Sequence, residues 1–177
     1  MIQFPNKKYN IIYADPPWHY DKRNEGVRNV QNKYATMTFD EIYNMPIQDI
    51  THNDCILFLW ITYPKLIEGI KTIESWGFKY KTCAFSWVKK NKKSDSFFMG
   101  MGNWTRANNE ICLLATKGTI KRVSASVRQI IYTPIETHSK KPDCVRHKIV
   151  ELVGDLPRIE LFARQKYEGW DSWGNEI

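Results

Sequence analysis

The sequence predicts an α/β fold built on a mostly parallel sheet, because short apolar runs typical of strands alternate with segments that carry helix signals. The first run, residues 9–14, ends at Asp15-Pro16-Pro17-Trp18, where two prolines cannot continue a β ladder. The second run, residues 55–61, is apolar throughout, as expected of a strand covered on both faces. At 177 residues the chain is expected to form one domain, residues 1–177.

Helix signals separate the strands. Thr38 and Glu41 form a capping box, so a short helix is predicted that ends before Pro46. Pro64 opens an amphipathic helix that Gly77 ends. Further strands are predicted at residues 80–88, 110–116, 127–132 and 158–163, the last of them closing the sheet, with a helix between Lys141-Pro142-Asp143 and Gly154.

Two long segments, residues 19–34 and 89–109, have no apolar period and are interpreted as loops. The second begins with four lysines, Lys89, Lys90, Lys92 and Lys93. Such a run is usually a solvated loop, but its position between two strand ends favours a role in recognising or gating a target.

The net charge of +7 and the aromatic content of 14% favour a polyanionic partner that offers surfaces for stacking, most simply nucleic acid. A basic protein without such a partner is the alternative. The four cysteines are far apart and no histidines cluster, so no metal site is expected. Neither a signal peptide nor a membrane-spanning stretch is recognisable, which predicts a cytoplasmic location and no membrane partner.

The turn after the first strand suggests a specific chemistry. The Asp15 carboxylate and the Pro16 carbonyl could accept the hydrogens of an exocyclic amine on a base, localise its lone pair and stabilise the charge that develops on nitrogen. Pro17 would help to hold these acceptors rigid, and Trp18 could stack on the base. A buried strand end followed by an ordinary turn is the alternative.

The sequence resembles the amino-methyltransferase family that contains the catalytic subunit of the mRNA N6-adenosine methyltransferase, together with many small bacterial and phage members. The similarity covers nearly the whole chain. Its collinear segments are Ala14-Asp15-Pro16-Pro17-Trp18, Tyr34-Ala35-Thr36-Met37, Leu57-Phe58-Leu59-Trp60, Trp87-Val88-Lys89, Gly102-Asn103-Trp104, Glu110-Ile111-Cys112-Leu113, Lys141-Pro142-Asp143, Ile159-Glu160-Leu161-Phe162-Ala163-Arg164 and Gly174-Asn175-Glu176. The resemblance implies a Rossmann-like methyltransferase fold in a permuted order, with the catalytic strand first and a cofactor-binding strand last.

The resemblance also implies S-adenosylmethionine as cofactor. Asp15 would contact its ammonium group, Lys141 would lie nearby, and Arg164, Asn175 and Glu176 would surround its ribose. Lys141-Pro142 could instead simply start a helix.

On the target side, Tyr34 and Trp60 resemble positions that line the adenine pocket, although Trp60 could equally be a core residue. Trp104, Arg106 and Glu110 occupy the loop associated with gripping nucleic acid, and the four lysines would contact phosphates. Apolar Phe97, Phe98, Met99 and Met101 replace basic residues of the mRNA enzyme, which weakens any transfer of its RNA specificity.

The expected activity is therefore N6-adenine methylation of nucleic acid. DNA is preferred because small members of the family resemble DNA-modifying enzymes. The alternatives are an RNA N6-adenosine methyltransferase and a non-catalytic nucleic-acid-binding partner of the same fold, and methylation of cytosine N4 is chemically allowed. Monomer and homodimer are both open.

Overall fold

The computed structural model describes residues 3–19, 36–102, 104–137 and 139–177. Its strands are β1 (Tyr9–Ala14), β2 (Thr51–Ile61), β3 (Lys79–Lys90), β4 (Asn109–Lys117), β5 (Ile130–Pro134), β6 (Arg158–Leu161) and β7 (Asp171–Trp173). Its α-helices are α1 (Phe39–Tyr43), α2 (Leu66–Ser75) and α3 (Cys144–Val153).

The described strands form one seven-stranded sheet in the order β5-β3-β4-β2-β1-β6-β7. β1 runs parallel to both β2 and β6, β6 is parallel to β7, and β3 is parallel to β5. β4 is antiparallel to both β2 and β3. The predicted α/β class with a mostly parallel sheet is confirmed.

Helices cover both faces of this sheet. Ile42 of α1 and Ile73 of α2 are buried in the same core cluster as Ile12 of β1. Val145 and Ile149 of α3 are buried in a second cluster against the opposite face. Because both faces are covered, the central strands read as continuous apolar runs.

The helix boundaries follow the sequence signals. Thr38 and Glu41 exchange side-chain and backbone hydrogen bonds, so the predicted capping box opens α1. α2 begins after a 3₁₀ turn at Tyr63–Lys65 and ends at Trp76, and Gly77 follows with a φ of 80°. That left-handed conformation favours glycine at this position.

The topology places several chain segments at one edge of the sheet. The carboxyl ends of the parallel strands β1, β2 and β6 lie there, and so does the end of β3, because two antiparallel pairings restore its direction. α1 leads out of β1 over one face, whereas α3 leads into β6 from the other. The edge between β1 and β6 is therefore the switch point at which open α/β sheets bind ligands.

Several details of the strands differ from the sequence predictions. The strand at 158–161 is not the last, because the tail adds β7 beside it. β3 continues to Lys90, so Lys89 and Lys90 are strand residues rather than part of a loop. Most of the predicted loop at 19–34, including Tyr34, lies outside the described residues. In the part of the chain that is described, no helix has both the length and the apolar character needed to cross a bilayer.

Candidate active site

Asp15 follows β1 directly, and the turn after it is fixed at several points. The Pro16 carbonyl accepts a hydrogen bond from the Trp18 backbone N–H at 2.8 Å, and the Pro17 carbonyl accepts one from the Met37 N–H at 3.1 Å. The indole N–H of Trp18 donates to the Trp60 carbonyl at 3.1 Å. These bonds tie the turn to β2 and to the segment before α1, so the turn is held rigid on the sheet edge.

The Trp18 ring is not an exposed stacking surface. It is only 5% exposed and packs near Phe39 in the core cluster on the α1 side. The hydrogen bond to β2 holds the ring in the core, and the stacking role expected for Trp18 remains a prediction. Its structural contribution is to anchor the turn that carries Asp15.

Lys141 joins Asp15 to a second carboxylate. The Lys141 ammonium lies 2.7 Å from Asp15 Oδ2 and 3.2 Å from Glu110 Oε2. Glu110 in turn accepts a hydrogen bond at 2.5 Å from the Lys89 ammonium. Lys141 is only 8% exposed, so the pairing is shielded from solvent. The side chains of Asp15, Lys141, Glu110 and Lys89 thus form a row across the sheet edge in which negative and positive charges alternate.

This arrangement treats the two carboxylates differently. Burial raises the pKa of Asp15 above its ordinary 3.8, and Lys141 only partly offsets that rise. Burial also raises the pKa of Glu110, but Lys141 and Lys89 together outweigh it and leave that pKa below 4.5. Glu110 is paired directly with two lysines, whereas Asp15 is paired directly with Lys141 alone and lies near the like charge of Glu110, and that asymmetry explains the opposite directions.

Trp60 packs beneath the Lys141 ammonium. Its side chain is fully buried, and its indole N–H donates to the Tyr13 hydroxyl at 2.7 Å. Lys141 Nζ lies 5.7 Å from its ring centroid, a cation–π contact. The ring packs in the core and faces Lys141, and a place for Trp60 in an adenine pocket remains a prediction.

An exposed aromatic ring that the sequence prediction missed lies at the end of β2. Tyr63 is 51% exposed and its hydroxyl accepts a hydrogen bond from Asn109 Nδ2 at 2.9 Å. Neither residue belongs to a motif, so no sequence signal singled them out. Tyr63 follows β2, whose carboxyl end lies at the same sheet edge as that of β1, so its exposed ring is one on which a planar base could stack.

The residues expected around a cofactor ribose come together after β6 and β7. Arg164 Nε lies 3.5 Å from Glu176 Oε1, and both side chains are partly exposed. A Cβ on Gly174 would lie 2.5 Å from the Ala163 carbonyl oxygen, so only glycine allows the two segments to touch. Arg164 also lies near enough to lower the pKa of Asp15.

A buried ion pair that sequence reasoning missed supports this side of the site. Arg146 of α3 donates two hydrogen bonds to Glu160 of β6, at 2.7 and 2.6 Å, and its guanidinium lies 3.5 Å from the Tyr167 ring centroid. The pair fastens α3 to the end of β6. Phe162 follows with a φ of 60°, a strained conformation for a non-glycine residue. A polar residue at a core-facing position of α3 was the signal available in the sequence.

The basic run divides into inward and outward lysines. Lys89 pairs with Glu110, and Lys90 pairs with Asp95 at 2.6 Å, so both ammonium groups already have an acidic partner. The phosphate contacts expected of these two lysines remain a prediction. Lys92, Lys93, Trp104 and Arg106 are all exposed.

The donor set at the sheet edge fits a cofactor that carries an amino acid group and a ribose. A carboxylate and an ammonium, Asp15 and Lys141, lie at the centre, with polar Arg164, Asn175 and Glu176 to one side. Within the described ranges, no group of three His, Cys, Asp or Glu side chains could hold a metal ion.

Comparison with known proteins identifies the family. The MT-A70 family model matches residues 9–176. The chain belongs to the MT-A70 family. The resemblance drawn from the Asp-Pro-Pro-Trp turn and its collinear segments is thereby confirmed.

Two kinds of relative accompany this MT-A70 match. The chain is 39% identical to the Type II methyltransferase M.MunI of a Mycoplasma species, over 99% of this chain and 80% of that protein. It is 28% identical to the human N(6)-adenosine-methyltransferase catalytic subunit METTL3, over 96% of this chain and 28% of METTL3. A putative N(6)-adenosine-methyltransferase of Medicago truncatula is 29% identical, with 26% of its length covered. The chain thus spans about a quarter of these plant and animal relatives but most of M.MunI.

Proposed function

We propose that this chain is an S-adenosylmethionine-dependent methyltransferase that modifies N6 of adenine in nucleic acid, with DNA as the preferred polymer. The observation that carries the proposal is the Asp15 carboxylate, held at the carboxyl end of β1 by a rigid turn and paired with Lys141. The family match and the N(6)-adenosine-methyltransferase relatives support the choice of adenine N6.

The cofactor would lie along the switch point between β1 and β6. Asp15 would face its ammonium group, Lys141 its carboxylate, and Arg164, Asn175 and Glu176 its ribose hydroxyls. When bound there, S-adenosylmethionine supplies an electrophilic methyl group. Arg146 and Glu160 would keep the end of β6 in place beneath it.

The Asp15 turn would activate the amine. The N6 lone pair of adenine is spread into the ring, so the amine is a poor nucleophile. Hydrogen bonds from its two N–H groups to Asp15 and to the Pro16 carbonyl localise that lone pair and stabilise the positive charge that develops on nitrogen. The Pro16 carbonyl already accepts the Trp18 N–H, but its second lone pair is available.

The remaining charged residues of the site would keep Lys141 and Asp15 in position. Glu110 and Lys89 hold Lys141 beside Asp15, so little reorganisation accompanies the reaction. No strong general base is required, because the alkylated amine is acidic enough to lose its proton once the N–C bond has formed. Tyr63 offers an exposed ring on which the base could stack.

The preference for DNA rests on similarity rather than on the site geometry. The chain aligns with 80% of the Type II methyltransferase M.MunI at 39% identity, against 28% of METTL3 at 28% identity. The apolar residues at 97–101 also separate it from the mRNA enzyme. An RNA substrate is the second candidate, favoured by the N(6)-adenosine-methyltransferase relatives.

Methylation of nucleic-acid pools tests the proposal. The purified chain is incubated with labelled S-adenosylmethionine and random DNA or RNA, and the digested nucleosides are identified by mass spectrometry. N6-methyldeoxyadenosine is expected from DNA. Label only in RNA would move the substrate to RNA, label on cytosine N4 would refute the base assignment, and no label with either polymer would refute the activity.

A further inference from the structure

The segment that joins β3 to β4 carries an unusual apolar surface. Trp104 is 99% exposed, Met99 72% and Met101 71%. Three large apolar side chains within six residues expose surface that is costly in water, and such patches mark interaction sites. The patch is defined here as Met99, Met101 and Trp104.

The patch is tied to the chemistry. The segment leaves β3 at Lys89 and Lys90 and returns at Glu110 in β4, on the edge where Asp15 lies. Lys89 pairs with Glu110, and Glu110 with Lys141, which holds Asp15. The base of the segment is therefore fixed to the proposed catalytic turn by consecutive ion pairs.

The two arms of the segment also brace one another. A Cβ on Gly100 would lie 2.1 Å from the Ala107 carbonyl oxygen, and one on Gly102 would lie 2.0 Å from that of Thr105. The backbones touch there because both residues lack a side chain. At the base, the Phe98 N–H donates to the Lys89 carbonyl at 2.8 Å. The tip is thus presented on a narrow, closed arm rather than on an open loop.

Positive charge predominates in the segment that carries the patch. Residues 89–108 contain five basic residues and one acid, Asp95, which pairs with Lys90. The exposed cations are Lys92, Lys93 and Arg106. An apolar tip flanked by cations complements a polyanion that has stacked bases inside, and it is poorly suited to an apolar protein interface, where charged residues are depleted.

We propose that Met99, Met101 and Trp104 form a wedge that enters the base stack of duplex DNA and fills the space that the target adenine leaves when it moves to Asp15. This inference rests on the proposed function. An adenine inside a duplex cannot reach Asp15, so it must leave the stack, at the cost of its pairing and stacking. Apolar side chains that enter base steps are a known means of offsetting that cost.

The test compares Trp104→Ala with the wild-type chain on two versions of one duplex that the wild-type chain methylates. In one the target adenine is paired, and in the other it lies opposite an abasic site and is already destabilised. The variant is expected to lose about 10- to 100-fold in methylation rate on the paired duplex but less than about threefold on the abasic duplex. Val123→Ala, an exposed apolar residue packed beside α3, is the control and should match wild type on both.

A second measurement does not depend on turnover. A duplex with 2-aminopurine at the target position should brighten when wild type binds and unstacks it, and should brighten much less with Trp104→Ala at a saturating protein concentration. Equal brightening by both proteins would overturn the wedge.

The outcomes separate the two proposals. A variant that loses the same factor on both duplexes, or that changes the sedimentation coefficient of the protein, would overturn the wedge and identify the patch as a general binding surface or a protein interface. A wild-type chain that methylates no adenine in any DNA would overturn the proposed DNA substrate, and the wedge with it.

Discussion

The ammonium of Lys141 lies 2.7 Å from the carboxylate of Asp15, although 126 residues separate them in sequence. Asp15 ends the first strand, and Lys141 precedes the helix that leads into β6. The pair therefore closes the sheet edge between two strands whose flanking helices cover opposite faces. Any ligand at this switch point meets a carboxylate that is already partnered, and must share it with Lys141.

Asp15→Ala is expected to abolish most methyl transfer while leaving the fold intact. Loss of one aligned electrostatic partner of a transition state typically costs about 10²–10³ in rate. The fold should survive because Lys141 keeps Glu110 as its partner, so no buried cation is left unpaired. Transfer of tritiated methyl groups to DNA measures the loss, with circular dichroism as the check on folding.

Asp155→Ala is the matched control for this prediction. The Asp155 side chain is 84% exposed and pairs with Arg158, before β6 and away from Asp15. It should retain wild-type activity. If the folded Asp15→Ala variant methylated DNA at the wild-type rate, Asp15 would have no role in the chemical step.

Lys141→Met is expected to shift the acid limb of the pH–rate profile upward. Burial raises the pKa of Asp15, and Lys141 is the largest influence that lowers it. Without that ammonium, burial is opposed less, so the carboxyl remains protonated to a higher pH and cannot accept hydrogen bonds from the target amine with full charge. The rate should therefore fall at a higher pH than in wild type, as measured from kcat across the acidic range.

Lys140→Met tests whether this shift is specific. The neighbouring Lys140 pairs with Glu136 and Asp143 rather than with Asp15. Its replacement should leave the acid limb where wild type has it. An acid limb of Lys141→Met that coincides with wild type would mean that Asp15 does not govern the profile.

The sequence predicts the elements well because apolar periodicity and capping report local structure directly. It places Asp15 at a strand end because two prolines stop the ladder, and in the structure β1 ends at Ala14, directly before Asp15. It does not predict that Lys89 turns inward to Glu110, because the pairing across β3 and β4 depends on strand register. For the same reason it cannot separate a buried Trp60 from a pocket-lining one. The register between strands that are distant in sequence determines the partners and burial of such side chains, and a local sequence pattern carries no information about that register.

Replacement of both Lys92 and Lys93 by Ala is expected to weaken DNA binding and flatten its salt dependence. Each phosphate contact contributes about 0.9 to the slope of log K against log salt, so two lost contacts should reduce that slope by about 1.8. Both side chains are exposed, unlike Lys89 and Lys90, whose ammonium groups are already paired. Fluorescence anisotropy at several salt concentrations measures the slope.

The control for this pair is Lys79→Ala with Lys81→Ala. These exposed lysines lie at the amino end of β3, on the edge of the sheet opposite Asp15. The control should keep the wild-type slope. An unchanged slope in the Lys92/Lys93 variant would show that these two lysines make no contact with DNA phosphates.

Replacing either Arg146 or Glu160 alone is expected to destabilise the fold by more than half the cost of replacing both, because a single replacement leaves the other charge buried without this partner. Arg146→Met leaves the Glu160 carboxylate buried without its two hydrogen bonds, whereas Glu160→Leu leaves the guanidinium with its pairing to Asp143 at 3.2 Å as the remaining ion pair. Each single change should cost about 3–5 kcal/mol in the free energy of unfolding. The double variant should cost clearly less than the sum, because it leaves neither charge behind. Urea denaturation of the four proteins completes the cycle. Additive costs would mean that the two side chains contribute independently, and that the ion pair does not couple α3 to β6.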